Sequence, residues 1–111
     1  MEEKKAISIQ QFFETQLRVA TVLAAERVAG TDKLLKLQVD LGDEQRQLVA
    51  GIAHCYEVDA LVGKRIIVVA NLEPARIRGT DSQGMLLAAD VQGRPVIATF
   101  EEDVPAGAPV R

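Results

Sequence analysis

Apolar and polar residues alternate regularly in residues 35–41, LKLQVDL. The apolar residues share one face, and they are Leu35, Leu37, Val39 and Leu41. Period-two alternation predicts a strand with one buried and one solvated face. The turn signal Gly42-Asp43 comes next and is followed by the apolar stretch QLVAGI, residues 47–52. Together these segments predict a β-hairpin.

Helix signals occur at two places. Ser8 is followed three residues later by Gln11, a capping box that predicts a short helix over roughly residues 9–15. Residues 56–62 are closed by Gly63, which predicts a second short helix with a glycine just past its end. Further strands are predicted at 17–28, 65–72, 85–91 and 95–100, with a turn at Gln92-Gly93 and a loop-like acidic tail over 101–111.

The predicted order is three strands, a short helix and further strands, without a linker, repeat or low-complexity segment. We therefore expect a single domain over residues 1–111. This is the order of the OB-fold, an all-β, five-stranded Greek-key barrel with a helix between its third and fourth strands. The pattern alone also fits an SH3-like barrel or a β-sandwich.

The composition is that of an ordinary globular protein, with 48% apolar and 26% charged residues. No run approaches the ~18 to 20 apolar residues of a membrane-spanning helix, and we expect no secretory signal in the polar start MEEKKAISIQQ. The single cysteine, Cys55, excludes an intramolecular disulfide and fits a reducing compartment. We therefore expect a cytoplasmic protein without a membrane partner.

The net charge of −3 and the pI near 5.1 argue at first against a nucleic-acid partner, because such domains often have a pI above ~9. The charges are unevenly distributed, however. Residues 64–78 hold four basic residues and one acidic residue, whereas residues 95–111 hold three acidic residues and one arginine. An acidic protein with one basic face can bind RNA, although weakly when few phosphates are neutralised.

The sequence lacks a set of residues suited to catalysis or metal binding. His54 and Cys55 are the only histidine and cysteine, and as neighbours in a segment expected to be extended they point to opposite faces. They are poorly placed as a nucleophile and its base, and too few for a metal site. No calcium-loop spacing, phosphate loop or dinucleotide motif occurs. We expect no catalytic residue, no metal, no cofactor and no enzyme activity.

The run NLEPARIRGTDSQGMLLAA, residues 71–89, carries a polar, basic loop into an apolar segment. Its pattern Asn-Leu-x-Pro-x-x-x-x-Gly-x-x-Ser-x-Gly-Met-x-Leu-Ala-Ala closely resembles the signature of the tRNA-binding domain family. Three further blocks match: Leu17-Arg18-Val19-Ala20, Thr31-Asp32-Lys33-Leu34-Leu35 and Val49-Ala50-Gly51-Ile52. That family includes free-standing tRNA-binding proteins, the C-terminal domain of bacterial methionyl-tRNA synthetases and the cytokine-like tails of eukaryotic synthetase cofactors. The resemblance covers about residues 12–100 and implies the OB barrel, with terminal extensions that form a homodimer interface.

The resemblance also implies which residues of this run contact RNA. Arg76 and Arg78 are expected to alternate on one face of an extended strand and to grip neighbouring phosphates. Ser82 is expected to donate to a phosphate or to a ribose 2′-hydroxyl. Met85 is expected on sugar or base surface, with a buried core position as the alternative. An ordinary solvated turn is the competing interpretation of the loop.

Three more RNA-binding candidates complete the predicted site. Lys33 matches the Asp-Lys-Leu of the family, and Lys36 projects from the polar face of its strand; a plain solvated lysine is the alternative for each. Asn71 is expected at the barrel end, where it fixes the loop. Two departures from the family pattern are Gln16 and Glu73, and Glu73 removes positive charge from the presumed RNA face.

Aromatic residues are scarce, and they are Phe12, Phe13, Tyr56 and Phe100. None lies in the second or third predicted strand, so a platform for base stacking, worth ~1 to 3 kcal/mol per base, is missing there. Recognition of folded RNA through its backbone and 2′-hydroxyls is the expected mode.

We therefore predict a non-catalytic, homodimeric, structure-specific tRNA-binding protein, with an aminoacyl-tRNA synthetase as a further candidate partner. The alternative is a peptide-binding export chaperone on the same dimeric OB scaffold, which would need an exposed apolar groove between protomers. A third interpretation is an assembly module that attaches to a synthetase with little RNA affinity of its own.

Overall fold

A computed structural model of the chain describes residues 4–111, so the first three residues of the polar N-terminal stretch lie outside it. This part of the chain forms two short helices and ten strands. The helices are α1 (Ile9–Phe13) and α2 (Val58–Leu61). The strands are β1 (Leu17–Arg27), β2 (Leu35–Asp40), β3 (Gln45–Ala50), β4 (Arg65–Val69), β5 (Ala75–Ile77), β6 (Thr80–Ser82), β7 (Met85–Leu86), β8 (Ala88–Val91), β9 (Arg94–Ile97) and β10 (Pro109–Val110).

Both helices form in the predicted segments, but α1 ends two residues early and α2 covers only the middle of residues 56–62. The Ser8 hydroxyl accepts the Gln11 amide N–H at 3.1 Å, and Gln11 Oε1 accepts the Ser8 N–H at 2.8 Å, so the capping box is formed. Gly63 follows α2 with a φ of +91°, a left-handed conformation that glycine adopts without steric cost. The two predicted helices are therefore confirmed.

Five strands form the barrel, in the order β3-β2-β1-β4-β7 with antiparallel neighbours throughout. α2 lies between the third and fourth strands along the chain. Just before β7, the Gln83 N–H donates to the Gln47 carbonyl of β3 at 2.8 Å, which brings the two ends of the sheet together. This strand order and the near closure confirm the predicted OB-fold barrel.

The barrel interior is filled by the apolar residues that alternation singles out. Leu35, Leu37, Val39 and Leu41 are completely buried, together with Leu48, Leu61, Ile66 and Val68. β1 is long enough to serve two neighbours: residues 17–21 pair with β4, and residues 21–27 pair with β2. A register irregularity between Val22 and Ala24 bends the strand between these two halves.

The segments after β4 are more broken than the sequence predicts. The single strand expected over 85–91 divides at Leu87 into β7, which stays in the barrel, and β8, which leaves it. β8 pairs only with β9 in a separate hairpin, which turns at Gln92-Gly93 as predicted. The expected strand over 65–72 ends at Val69, ahead of the loop that carries Pro74.

The prediction of a loop-like tail over 101–111 is wrong in its last part. β10 pairs with the start of β1, and the Val19 N–H donates to the Ala108 carbonyl at 2.9 Å. The Arg18 guanidinium donates to the Leu41 carbonyl at 2.7 Å and to Asp43 at 2.9 Å. This hydrogen bond from Arg18 lowers the pKa of the exposed Asp43 carboxyl below its usual value. Sequence patterns miss this docking because its partners lie some 90 residues apart along the chain.

Candidate nucleic-acid interface

The basic run folds into a hairpin on the barrel surface. β5 and β6 pair antiparallel, with Arg76 directly opposite Asp81, and Arg78 and Gly79 form the turn between them. Arg78 has a φ of +52° and Gly79 a φ of +79°, the left-handed pair that a tight two-residue hairpin turn requires. The prediction that Arg76 and Arg78 alternate along one extended strand is therefore wrong: Arg76 lies on the strand and Arg78 at the tip.

Ser82 is a structural residue of this hairpin. Its side chain is buried, with 4% exposure, and its hydroxyl accepts the Val49 N–H at 3.0 Å and donates to the Gly84 carbonyl at 3.0 Å. Because the hydroxyl has both a donor and an acceptor partner inside the protein, it does not face RNA. The predicted contact of Ser82 with a phosphate or ribose is wrong, and the residue instead joins β6 to β3.

Two glutamines fix the hairpin against β3. The Gln47 N–H donates to Gln83 Oε1 at 3.2 Å, and Gln47 Nε2 donates to the Asp81 carbonyl at 2.8 Å. Beside them, the Arg46 guanidinium donates to the carbonyls of Ala70 and Gln83. These side-chain bonds extend the contact between β3 and β6, so the hairpin is held at a defined angle. Sequence reasoning missed Arg46, Gln47 and Gln83, because their partners lie 24 to 37 residues away.

Three adjoining clefts surround the hairpin, and we call them together the hairpin groove. The first, about 540 Å³, is lined by Gln47, Pro74, Ala75, Arg76, Asp81 and Gln83. The second, about 270 Å³, is lined by Ala24, Ala25, Glu26, Lys36, Gln38 and Gln47. The third, about 390 Å³, is lined by Glu26, Arg27, Val28, Ala29, Lys36, Arg78 and Thr80. Gln47 lines the first two clefts, and Glu26 and Lys36 line the last two, so each cleft shares lining residues with the next.

The hairpin groove brings three of the predicted residues together: Lys36, Arg76 and Arg78. It adds Arg27, a cation at the end of β1 that sequence reasoning missed. Two carboxylates share the groove. Asp81 accepts from Arg76 at 2.9 Å, and Glu26 contacts the Lys36 ammonium at 2.7 Å.

Four cations against two carboxylates leave the groove positive on a chain whose net charge is −3. Arg76 and Asp81 are both more than 60% exposed, so their ion pair is open to solvent and to an incoming anion. The alanines at positions 24 and 25 form a floor without bulky side chains. This arrangement suits a polyanionic backbone that lies across the sheet.

The other three predicted residues lie elsewhere. Lys33 lines a separate shallow cleft beside the β8–β9 hairpin, with its side chain packed over Gly51. Asn71 accepts the Gln16 N–H at 2.7 Å and donates to the Glu14 carbonyl, so it fixes the segment between α1 and β1 at the barrel end. Met85 lies on β7 with 49% exposure, so the alternative of a buried core methionine does not apply.

A further cleft of about 500 Å³ lies where the segment after α1 meets the C-terminal residues. Its lining comes from the end of α1, the segment after it, the start of β1, the loop after β4 and the C-terminus: Phe13, Glu14, Thr15, Gln16, Leu17, Asn71, Pro109, Val110 and Arg111. Phe13 is 55% exposed, and Ile7, Ile9 and Leu72 are also exposed apolar residues. We call this region the terminal cleft.

The neighbouring His54 and Cys55 are both exposed and lie in the turn between β3 and α2, rather than in the extended segment that was expected. Within residues 4–111, no three side chains of the types that ligate metal ions cluster together. In the same range, neither helix has the length and apolar character to cross a membrane.

Comparisons with known proteins agree with this architecture. The family profile described as "Putative tRNA binding domain" matches residues 17–109. A methionine–tRNA ligase of Methanothrix thermoacetophila is 53% identical over 111 residues, which is 100% of this chain and 16% of that enzyme. A methionine–tRNA ligase of Deinococcus radiodurans is 52% identical over 95% of this chain and 16% of its own length. The chain thus spans about a sixth of these relatives.

Two solved structures resemble the fold over nearly the whole chain. A protein from Pyrococcus horikoshii related to methionyl-tRNA synthetase gives a TM-score of 0.92 at 38% identity, covering 97% of this chain and 100% of its own. The chaperone CsaA from Bacillus anthracis gives a TM-score of 0.88 at 26% identity, covering 96% of this chain and 100% of its own.

Proposed function

The chain belongs to the tRNA-binding domain family, and from this premise we propose that it binds tRNA without catalysis, in the cytoplasm, through the hairpin groove. The observation that carries this proposal is that Lys36, Arg76 and Arg78 line neighbouring clefts that share lining residues. The relatives' ligase activity belongs to proteins about six times as long, so it is not part of the proposal.

The chemistry of the groove favours backbone recognition. Guanidinium groups bind phosphates through paired N–H donors, and the groove holds three of them in addition to one lysine. The Gln38 amide lines the same surface and can hydrogen-bond ribose 2′-hydroxyls, the groups that distinguish RNA from DNA. The strands beneath the groove, β2 and β3, carry no aromatic side chain for base stacking. Folded RNA is therefore the preferred ligand.

A comparison of three ligands at one fixed salt concentration tests the proposal. We expect tRNA to bind at least about tenfold more tightly than single-stranded RNA or duplex DNA of the same charge. Only folded RNA combines an A-form backbone with 2′-hydroxyls at fixed positions. Fluorescence anisotropy gives the three Kd values. Equal affinity for all three would indicate nonspecific polyanion binding, and absence of tRNA binding by the folded protein would overturn the proposed function.

We also propose that the terminal cleft joins two copies of the chain. Four exposed apolar residues lie at or near this end of the barrel: Ile7, Ile9, Phe13 and Leu72. A second copy of the chain that buried them would stabilise the dimer through the hydrophobic effect. A dimer would present two hairpin grooves, which raises avidity for one RNA that reaches both.

Sedimentation at micromolar concentration is expected to give twice the mass of the chain, 12.0 kDa. Phe13→Glu should shift the equilibrium toward the monomer, because it places a charge in a desolvated contact. Val91→Glu is the matched control, since Val91 is an apolar residue of similar exposure on the β8–β9 hairpin. A monomeric wild-type protein, or equal effects of both variants, would contradict this interface.

The terminal cleft also supports the second candidate function. The resemblance to a CsaA chaperone makes a peptide-binding role the alternative, with the cleft and its apolar surroundings as the site. Binding of an unfolded preprotein that Phe13→Glu abolishes, combined with no tRNA binding, would favour it. Retention of a methionyl-tRNA synthetase in a pull-down without RNA would instead support the assembly role.

A further inference from the structure

Two of the four cations in the hairpin groove are already held by carboxylates. Asp81 contacts Arg76 at 2.9 Å, and Glu26 contacts Lys36 at 2.7 Å. In both pairs the partners are directly opposite one another on adjacent antiparallel strands, β5 with β6 and β1 with β2. Strand register therefore fixes each carboxylate beside its cation. Among residues 4–111, Arg27 and Arg78 take part in no ion pair.

The two carboxylates compete with phosphate for the same cations. A phosphate that binds Arg76 must displace Asp81 or lie beside it, and the same holds for Lys36 and Glu26. Exposed ion pairs contribute little net free energy, so the exchange is feasible. A single phosphate nevertheless gains little, because it replaces one anion by another and remains close to the displaced carboxylate.

Flexible and rigid RNA differ in how well their phosphates can compete with the two carboxylates for the cations of the groove. A folded RNA holds its phosphates at fixed spacing, so several of them can reach the groove in one binding event. A flexible single strand must order its backbone for every contact, so it makes fewer contacts at once and has fewer phosphate–cation bonds to offset the repulsion of the two carboxylates. The carboxylates should therefore weaken the binding of single-stranded RNA more than that of folded RNA.

Resting on the proposed tRNA-binding function, we propose that Asp81 and Glu26 are specificity determinants that reject polyanions lacking the correct phosphate spacing. They touch the cations of the groove, and their expected effect is on discrimination between RNAs rather than on maximal affinity. This role also accounts for an RNA-binding surface in which half of the cations are paired on a chain of net charge −3.

The test measures Kd for tRNA and for single-stranded RNA of equal length with wild-type protein, Asp81→Asn, Glu26→Gln and the double variant. Each single substitution should tighten single-stranded RNA binding by about 3- to 10-fold and tRNA binding by about 2-fold or less, since an opposing charge is removed from the groove. The ratio of the two Kd values should therefore fall, and most in the double variant. The dependence of single-stranded RNA binding on salt should become steeper.

Glu102→Gln is the matched control, because it removes the same charge from an exposed position in the C-terminal segment. It should leave the Kd ratio unchanged. If the ratio does not fall in the groove variants while wild-type protein still binds tRNA, or if Glu102→Gln lowers it equally, this inference is overturned and the proposed function stands. If wild-type protein binds no tRNA, the proposed function fails, and the inference fails with it.

Discussion

Replacing Arg76 and Arg78 together by alanine should weaken tRNA binding by about 30- to 150-fold, the largest functional effect that we expect in this protein. Hydrogen bonds to charged groups contribute about 1.5 to 3 kcal/mol each, and part of the Arg76 contribution is already taken by Asp81. A net loss of about 2 to 3 kcal/mol corresponds to that range of affinity. The double variant also leaves Asp81 as an unpaired negative charge in the groove.

The measurement is a titration of tRNA at several salt concentrations. Because two phosphate contacts are removed, the slope of log affinity against log salt should become shallower by about two units. Lys64→Ala with Arg94→Ala is the matched control: both residues are exposed, and their loss changes the net charge equally. If the control weakens binding as much as the groove variant, the RNA site does not lie in the hairpin groove.

Gly84→Ala should lower the free energy of unfolding by about 3 kcal/mol, the largest stability effect among the residues of the basic run. Gly84 has a φ of +138°, a conformation that other residues rarely adopt. An added Cβ would lie 2.9 Å from the Val69 carbonyl oxygen and 3.1 Å from Val68 Cγ1. Backbone strain and overpacking against β4 therefore act together at the point where the hairpin enters the barrel.

Urea unfolding followed by circular dichroism measures this change, with equal m-values required for both proteins. Gly79→Ala is the matched control, since Gly79 also has a positive φ but nothing lies within 4 Å of its added Cβ. Only the conformational cost applies there, about 1 kcal/mol. Equal destabilisation by the two substitutions would mean that the crowding around Gly84 relaxes without cost.

The sequence predicts the barrel well because its core depends on local periodicity. The alternation in β2 identifies four completely buried residues, and capping chemistry places both helices. The elements that fail are those decided by distant contacts. The segment 101–111 has no local pattern, yet its end docks on β1. The Val19 N–H donates to the Ala108 carbonyl, the Gly107 N–H donates to the Val19 carbonyl, and the Arg18 guanidinium donates to the Gly107 carbonyl.

The candidate site was predicted in part, for the same physical reason. The family resemblance and the charge of the run single out Lys36, Arg76 and Arg78, and the structure places them around the hairpin groove. Ser82 has the right chemistry for RNA, but its hydroxyl is used inside the protein, which only the packing of β6 on β3 reveals. Arg27 was missed because it stands outside the basic run.

Arg78 adopts a left-handed backbone conformation at a turn position where asparagine or glycine would be less strained. An arginine at this tip therefore costs the hairpin about 1 kcal/mol of folding free energy that an asparagine would largely restore. Arg78 thus lowers the stability of the hairpin while it places a positive charge at the tip. Selection for heat resistance alone would favour replacing Arg78, and under the proposed function we expect a more heat-resistant variant obtained in this way to bind RNA less tightly.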